Sequence, residues 1–80
     1  MTVAQAVAKR IKGLLKEKGI TQYRLEKLSG IQHGSMQCIM NGRCKTVTLS
    51  TIMMIANGFN ISLIEFLDNE VFTSEELEIE

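Results

Sequence analysis

The 80-residue chain predicts an all-α fold of five short helices. Three observations support this. Apolar residues recur at steps of three and four along most of the chain. Thr or Ser at helix starts and Gly at helix stops punctuate it at short intervals. Proline is absent, which removes collagen-like and polyproline readings, and no repeat at a fixed period divides the sequence. A chain this small buries only about 60% of the surface its unfolded form exposes, so it has one core, not two. Its 45% apolar content and mean hydropathy of +0.08 supply that core and argue against global disorder.

In the first helix, Val3, Val7, Ile11, Leu14 and Leu15 share one face, with Lys9, Arg10, Lys12 and Lys16 off it. Gly19 stops it and Ile20 folds back as its hydrophobic cap. Gly13, inside the helix, reads as a close helix contact. Thr21 caps a second helix, Gln22 to Ser29, with Leu25 and Leu28 inward and Gly30 at its end. Two turns are too short to stand without tertiary packing. A third helix runs from about Gln32 to Met40, with Met36, Ile39 and Met40 to the core. Gln32, His33, Gln37 and Cys38 remain for its outer face, and Asn41-Gly42 terminates it.

After a polar, basic loop from Arg43 to Val47, Thr48 caps a fourth helix that ends near Asn57-Gly58. Its predicted inner face is Leu49, Ile52, Met53, Ala56 and Phe59. Ser62 and Glu65 stand three apart as a capping box and open a fifth helix with Leu63, Phe66 and Leu67 inward. Residues 1–68 thus form the folded body, and residues 69–80 an acidic tail. For that tail three readings stand open. Thr73 and Glu76 fit another capping box, Leu77 and Ile79 alternate with glutamates as a strand would, and acidic termini are often disordered.

The formal net charge of zero conceals a dipolar molecule. Residues 1–60 carry nine Lys or Arg against Glu17 and Glu26, a balance of +7. Residues 61–80 carry seven acids and no base, a balance of −7. A basic body with an acidic tail points to a polyanionic partner. No apolar run reaches the roughly 18 residues of a membrane span and no signal-peptide core is present, which places the chain in the cytoplasm, off the membrane. Two cysteines are too few for a disulfide scaffold or a four-ligand zinc site, and both read as reduced thiols. A redox switch at Cys38 would need a depressed thiol pKa. The one histidine, His33, has no second ligand at metal spacing. No metal, no other cofactor and no enzymatic activity are expected, because no nucleophile–base pair and no phosphate loop is visible.

Two short helices joined by a tight Gly turn, the second bearing exposed amides, form a helix-turn-helix pattern. The run TQYRLEKLSGIQHGSMQCIMNGR at residues 21–43 resembles the Cro- and lambda-repressor-like (XRE) family. LSTIMMIANGFNISLIEFL at residues 49–67 resembles that family's fourth and fifth helices. With the first helix, the similarity covers about residues 5–68. It rests on the ordered set Gln22, Leu25, Gly30, Ile39, Asn41-Gly42, Leu49, Ile55-Ala56 and Ser62-Leu63. The resemblance implies a compact five-helix lambda-repressor-like domain with its helix-turn-helix at helices two and three. It also implies double-stranded DNA as partner and dimers on inverted repeats.

By matching positions, the resemblance assigns base contacts to Gln32, His33, Gly34, Gln37 and Cys38. It assigns backbone phosphates to Gln22, Asn41, Arg43 and Lys45, and the Tyr23 hydroxyl can reach a phosphate too. Gln pairs with adenine through both amide atoms, whereas Arg and Lys position without carrying much sequence information. The sequence departs from the family at Glu26, where a small residue is usual, and at Gly34, Met36 and Met40. A carboxylate at position 26 needs partners, and the free amides starting the third helix are the expected ones.

The resulting expectation is a sequence-specific regulator, a repressor acting by steric occupancy as a homodimer. Ile64, Val71 and Phe72 are the apolar candidates for the self-contact. The alternative is a protein-interaction module on the same fold, an antitoxin or accessory subunit that binds a partner through residues 69–80.

Overall fold

The computed structural model describes residues 1–44, 47–73 and 77–78. Five α-helices follow in order: α1 (Val3–Lys18), α2 (Gln22–Ser29), α3 (His33–Met40), α4 (Leu49–Gly58) and α5 (Leu63–Leu67). A 3-10 turn, Glu70–Phe72, comes after them. Each boundary has a local cause. Thr21, Thr48 and Ser62 accept the backbone N–H three residues on, as N-caps do. Thr2 and Gln5 form a reciprocal capping box on α1, whereas Ser62 and Glu65 complete only the first half of theirs. Gly19 and Gly30 close α1 and α2 in the left-handed conformation, at φ 65° and 78°. The Ile20 N–H reaches back to the Leu15 carbonyl at 3.1 Å, which folds Ile20 onto the helix end.

Packing pairs α2 with α4 and α1 with α3 around a core whose largest fully buried members are Val7, Ile11, Leu25, Met36, Ile55 and Phe66. The close approach falls at Gly58, not Gly13. A Cβ on Gly58 would lie 3.1 Å from both Leu25 Cδ1 and Ser29 Cβ, whereas one on Gly13 would meet nothing within 4 Å. The α2 seam therefore runs along Leu25 and Ser29, four apart. Leu28 is rotated away from it and is exposed rather than inward.

The same offset corrects α4, whose core stripe is Ile52, Ile55, Ala56 and Phe59, leaving Leu49 and Met53 in solvent. Val3 and Leu67, also expected inside, are exposed at the outer ends of α1 and α5.

The segment after α5 folds back on α1. Arg10 Nε donates to the Phe66 carbonyl at 2.8 Å and its Nη2 to the Glu65 carbonyl at 2.9 Å, satisfying acceptors at the end of α5. Phe72 packs against Phe66 with ring centroids 6.0 Å apart, and Val71 is buried. Val71 and Phe72 thus face the core rather than standing exposed for a self-contact, while Ile64 is 80% exposed. Glu78 pairs with the N-terminus: the Val3 N–H donates to its carbonyl at 3.0 Å and its own N–H to the Met1 carbonyl at 2.8 Å. The Thr73–Glu76 box and the Leu77–Ile79 alternation involve Glu76 and Ile79, which lie outside the described residues.

Candidate nucleic-acid interface

Gly30 turns the chain out of α2, and the buried Ile31 anchors the connection to α3. Gln32 is the N-cap of α3 rather than its first residue, and its side chain makes no capping bond. Its amide is therefore available at the mouth of the helix. Gln32, His33, Gly34 and Gln37 are exposed along the start and outer face of α3. Cys38 is half-buried toward the loop. A Cβ on Gly34 would meet nothing within 4 Å, so this stretch of the helix surface is open to an approaching partner.

The flanks hold the residues expected at phosphates. Tyr23 is 67% exposed, and the Lys27 ammonium lies 5.2 Å from its ring centroid. Asn41 and Arg43 are exposed just beyond α3. Lys45 lies outside the described residues. Gln22 occupies the first position of α2 and is half-buried against α3.

A side-chain network joins the two helices. Glu26 Oε2 accepts Gln22 Nε2 at 3.0 Å and lies 2.9 Å from His33 Nδ1. Gln22 Nε2 donates also to Gln37 Oε1, at 2.8 Å. Glu26 was expected to accept the backbone amides at the start of α3; it binds the His33 side chain instead. The physical reason is reach: His33 opens α3 and turns its ring back over the same gap. The hydrogen bond to His33 foremost, then the Gln22 amide, hold the Glu26 carboxyl below its usual range, against the opposing effect of burial. Glu26 therefore stands ionised at neutral pH. No positional reading of the sequence joins residues 22, 26, 33 and 37. The clue that was available is the carboxylate itself, in a place where only a partnered one is tolerated.

Cys38 and Cys44 are both half-buried, free thiols. A hydrogen bond with Cys38, and secondly burial, pushes the Cys44 thiol up to about 11. Its thiolate fraction at pH 8 is then about two orders of magnitude below that of an ordinary thiol with pKa about 8.5. Iodoacetamide at pH 8 is expected to alkylate Cys44 slower than a model cysteine peptide by that factor, as measured by peptide mass spectrometry. Equal rates would contradict the thiol–thiol contact. Among the described residues no group of three His, Cys, Asp or Glu is placed to hold a metal. No helix among them is long and apolar enough to cross a membrane.

Two short helices about a left-handed glycine, with the second helix's first turn bare and polar, define a helix-turn-helix domain of the DNA-binding type. The chain belongs to the Cro/C1-type HTH DNA-binding domain family, whose profile matches residues 10–70. No curated protein and no solved structure gives a match to the chain.

Proposed function

We propose that this protein is a cytoplasmic, sequence-specific transcriptional repressor that binds an inverted-repeat operator as a homodimer, with α3 in the major groove. The observation that carries this reading is the exposed polar start of α3, on which Gln37 and His33 are braced by Gln22 and Glu26 of α2. Base edges demand side chains held in place, because a bidentate pair discriminates only when its geometry is kept. Gln32, His33, Gly34, Gln37 and Cys38 line the base-facing side. Tyr23, Asn41, Arg43 and Lys45 meet the phosphates. Both Nε2 protons of Gln22 are engaged inside the network, so its backbone amide at the start of α2 is the donor left for phosphate. Ile64, the most exposed of the large apolar side chains among the described residues, is the proposed self-contact.

The test is selection from random duplex DNA at physiological salt, with Gln32→Ala/Gln37→Ala alongside. The wild type is expected to enrich an inverted repeat whose half-sites lie about 34 Å apart, one turn of DNA. The double variant is expected to lose roughly 1–3 kcal/mol of discrimination at the base read by Gln32, the range for a bidentate pair and about 5- to 150-fold, and less at the base read by Gln37, whose Oε1 is already engaged by Gln22. A folded wild type that enriches nothing would sink the proposal.

A further inference from the structure

The Glu26 carboxylate is the one acceptor-only group in its network, and this fixes the direction of every hydrogen bond in it. An ionised carboxylate has no proton to give. Gln22 must therefore turn its nitrogen, not its oxygen, toward Glu26, and does so at 3.0 Å. The second proton of that nitrogen then goes to Gln37, which must receive it at Oε1, at 2.8 Å. Gln37 is left with Nε2 as its outward donor. Likewise His33 must carry a proton on Nδ1 to meet Glu26 at 2.9 Å. In the neutral ring, Nε2 is then the bare acceptor. The Glu26 side chain is only 10% exposed, against 69% for His33, so the anchor is sheltered while the reader is open. Lys27 also acts on Glu26, and it favours the carboxylate.

We propose that Glu26 is a specificity-determining residue that never touches DNA: it fixes Nε2 of the neutral His33 ring as an acceptor and Gln37 Nε2 as a donor, and so sets which bases α3 can read. This rests on the DNA-binding reading above. An acceptor at His33 selects the exocyclic amino groups, cytosine N4 or adenine N6, in the major groove. A donor at Gln37 selects guanine N7 and O6, adenine N7 or thymine O4. Without the acceptor-only anchor, the Gln22 amide is free to flip and the imidazole to exchange tautomer. Both readers then lose their polarity while the fold stays in place.

Two measurements test this. Nitrogen-15 NMR of the DNA-free wild-type protein at pH 8 reports which ring nitrogen of His33 carries the proton. The expected result is Nδ1–H, and an Nε2–H ring overturns the proposal. Selection from random duplex DNA is then run on the wild type, Glu26→Gln and Glu26→Ala, each checked for folding by denaturant titration. The near-isosteric Glu26→Gln keeps the packing but can donate as well as accept. The wild type is expected to discriminate about tenfold or more at the positions read by His33 and Gln37, within the range of a well-held contact. Both variants are expected to fall to about threefold or less there, with the affinity lost by raising salt unchanged. Identical base preferences in wild type and folded variants overturn the proposal and leave the DNA reading standing. A folded wild type that enriches no sequence overturns the DNA reading, and this proposal with it.

Discussion

Phe66→Ala is expected to lower the unfolding free energy by about 3–5 kcal/mol, the range for truncating a fully buried aromatic. Phe66 has no exposed surface and joins three parts of the chain. Its ring meets Phe72 at 6.0 Å between centroids, and the Arg10 guanidinium lies 5.9 Å from it. Its carbonyl accepts Arg10 Nε at 2.8 Å. Alanine keeps that carbonyl, so the backbone tie to α1 survives while the ring's packing is lost. A domain of this length has a total stability of roughly 4–12 kcal/mol, at about 0.05–0.15 kcal/mol per residue. The loss is therefore a large share of the whole, and Tm should fall by well over about 10 °C. Urea titration followed by circular dichroism measures it directly. A change below about 1 kcal/mol would mean that α5 is not part of the cooperative core.

What was legible in the sequence is what is decided locally. Thr21, Thr48, Ser62, Gly19 and Gly30 place helix ends because a cap or a left-handed residue acts within one turn. The helix faces were harder. The middle of α4, residues 52–56, is wholly apolar, so Leu49-Ile52-Met53-Ala56 and Ile52-Ile55-Ala56-Phe59 are equally good stripes. Only the position of α2, set by Gly58, selects the second. In α2, Leu25 with Leu28 and Leu25 with Ser29 are both one-face pairs. The partner helix chooses the one that includes a serine.

The candidate site divides in the same way. Exposure of Gln32, His33, Gly34 and Gln37 follows from helical position alone. The Glu26–His33 and Gln22–Gln37 bonds depend on how closely two helices sit, which no spacing rule encodes.

The tail separates into two parts that cutting should distinguish. Ending the chain after Asp68 removes the buried Val71 and the Phe72 ring, and with them the cover over Phe66. Burying one such side chain contributes about 1.5–3 kcal/mol, so losing both should cost about 3–6 kcal/mol in total. Ending it after Thr73 keeps both and removes Glu75, Glu76, Glu78 and Glu80, which takes the formal net charge from +0 to +4. Among the described residues, the backbone pairing this removes is that of Glu78 with Met1 and Val3. The shorter cut should remain folded and bind non-cognate duplex DNA more tightly than the full chain. That gain should be largest at low salt and vanish as the ionic strength rises, because the four carboxylates act through a screened field. Urea titration of both truncations, with a salt series of DNA affinities for the one ending at Thr73, measures the two effects separately. If the two truncations are equally stable, residues 69–73 add nothing to the core. If the salt series of the full chain and of the chain ending at Thr73 coincide, the terminal glutamates do not compete with DNA for the basic body.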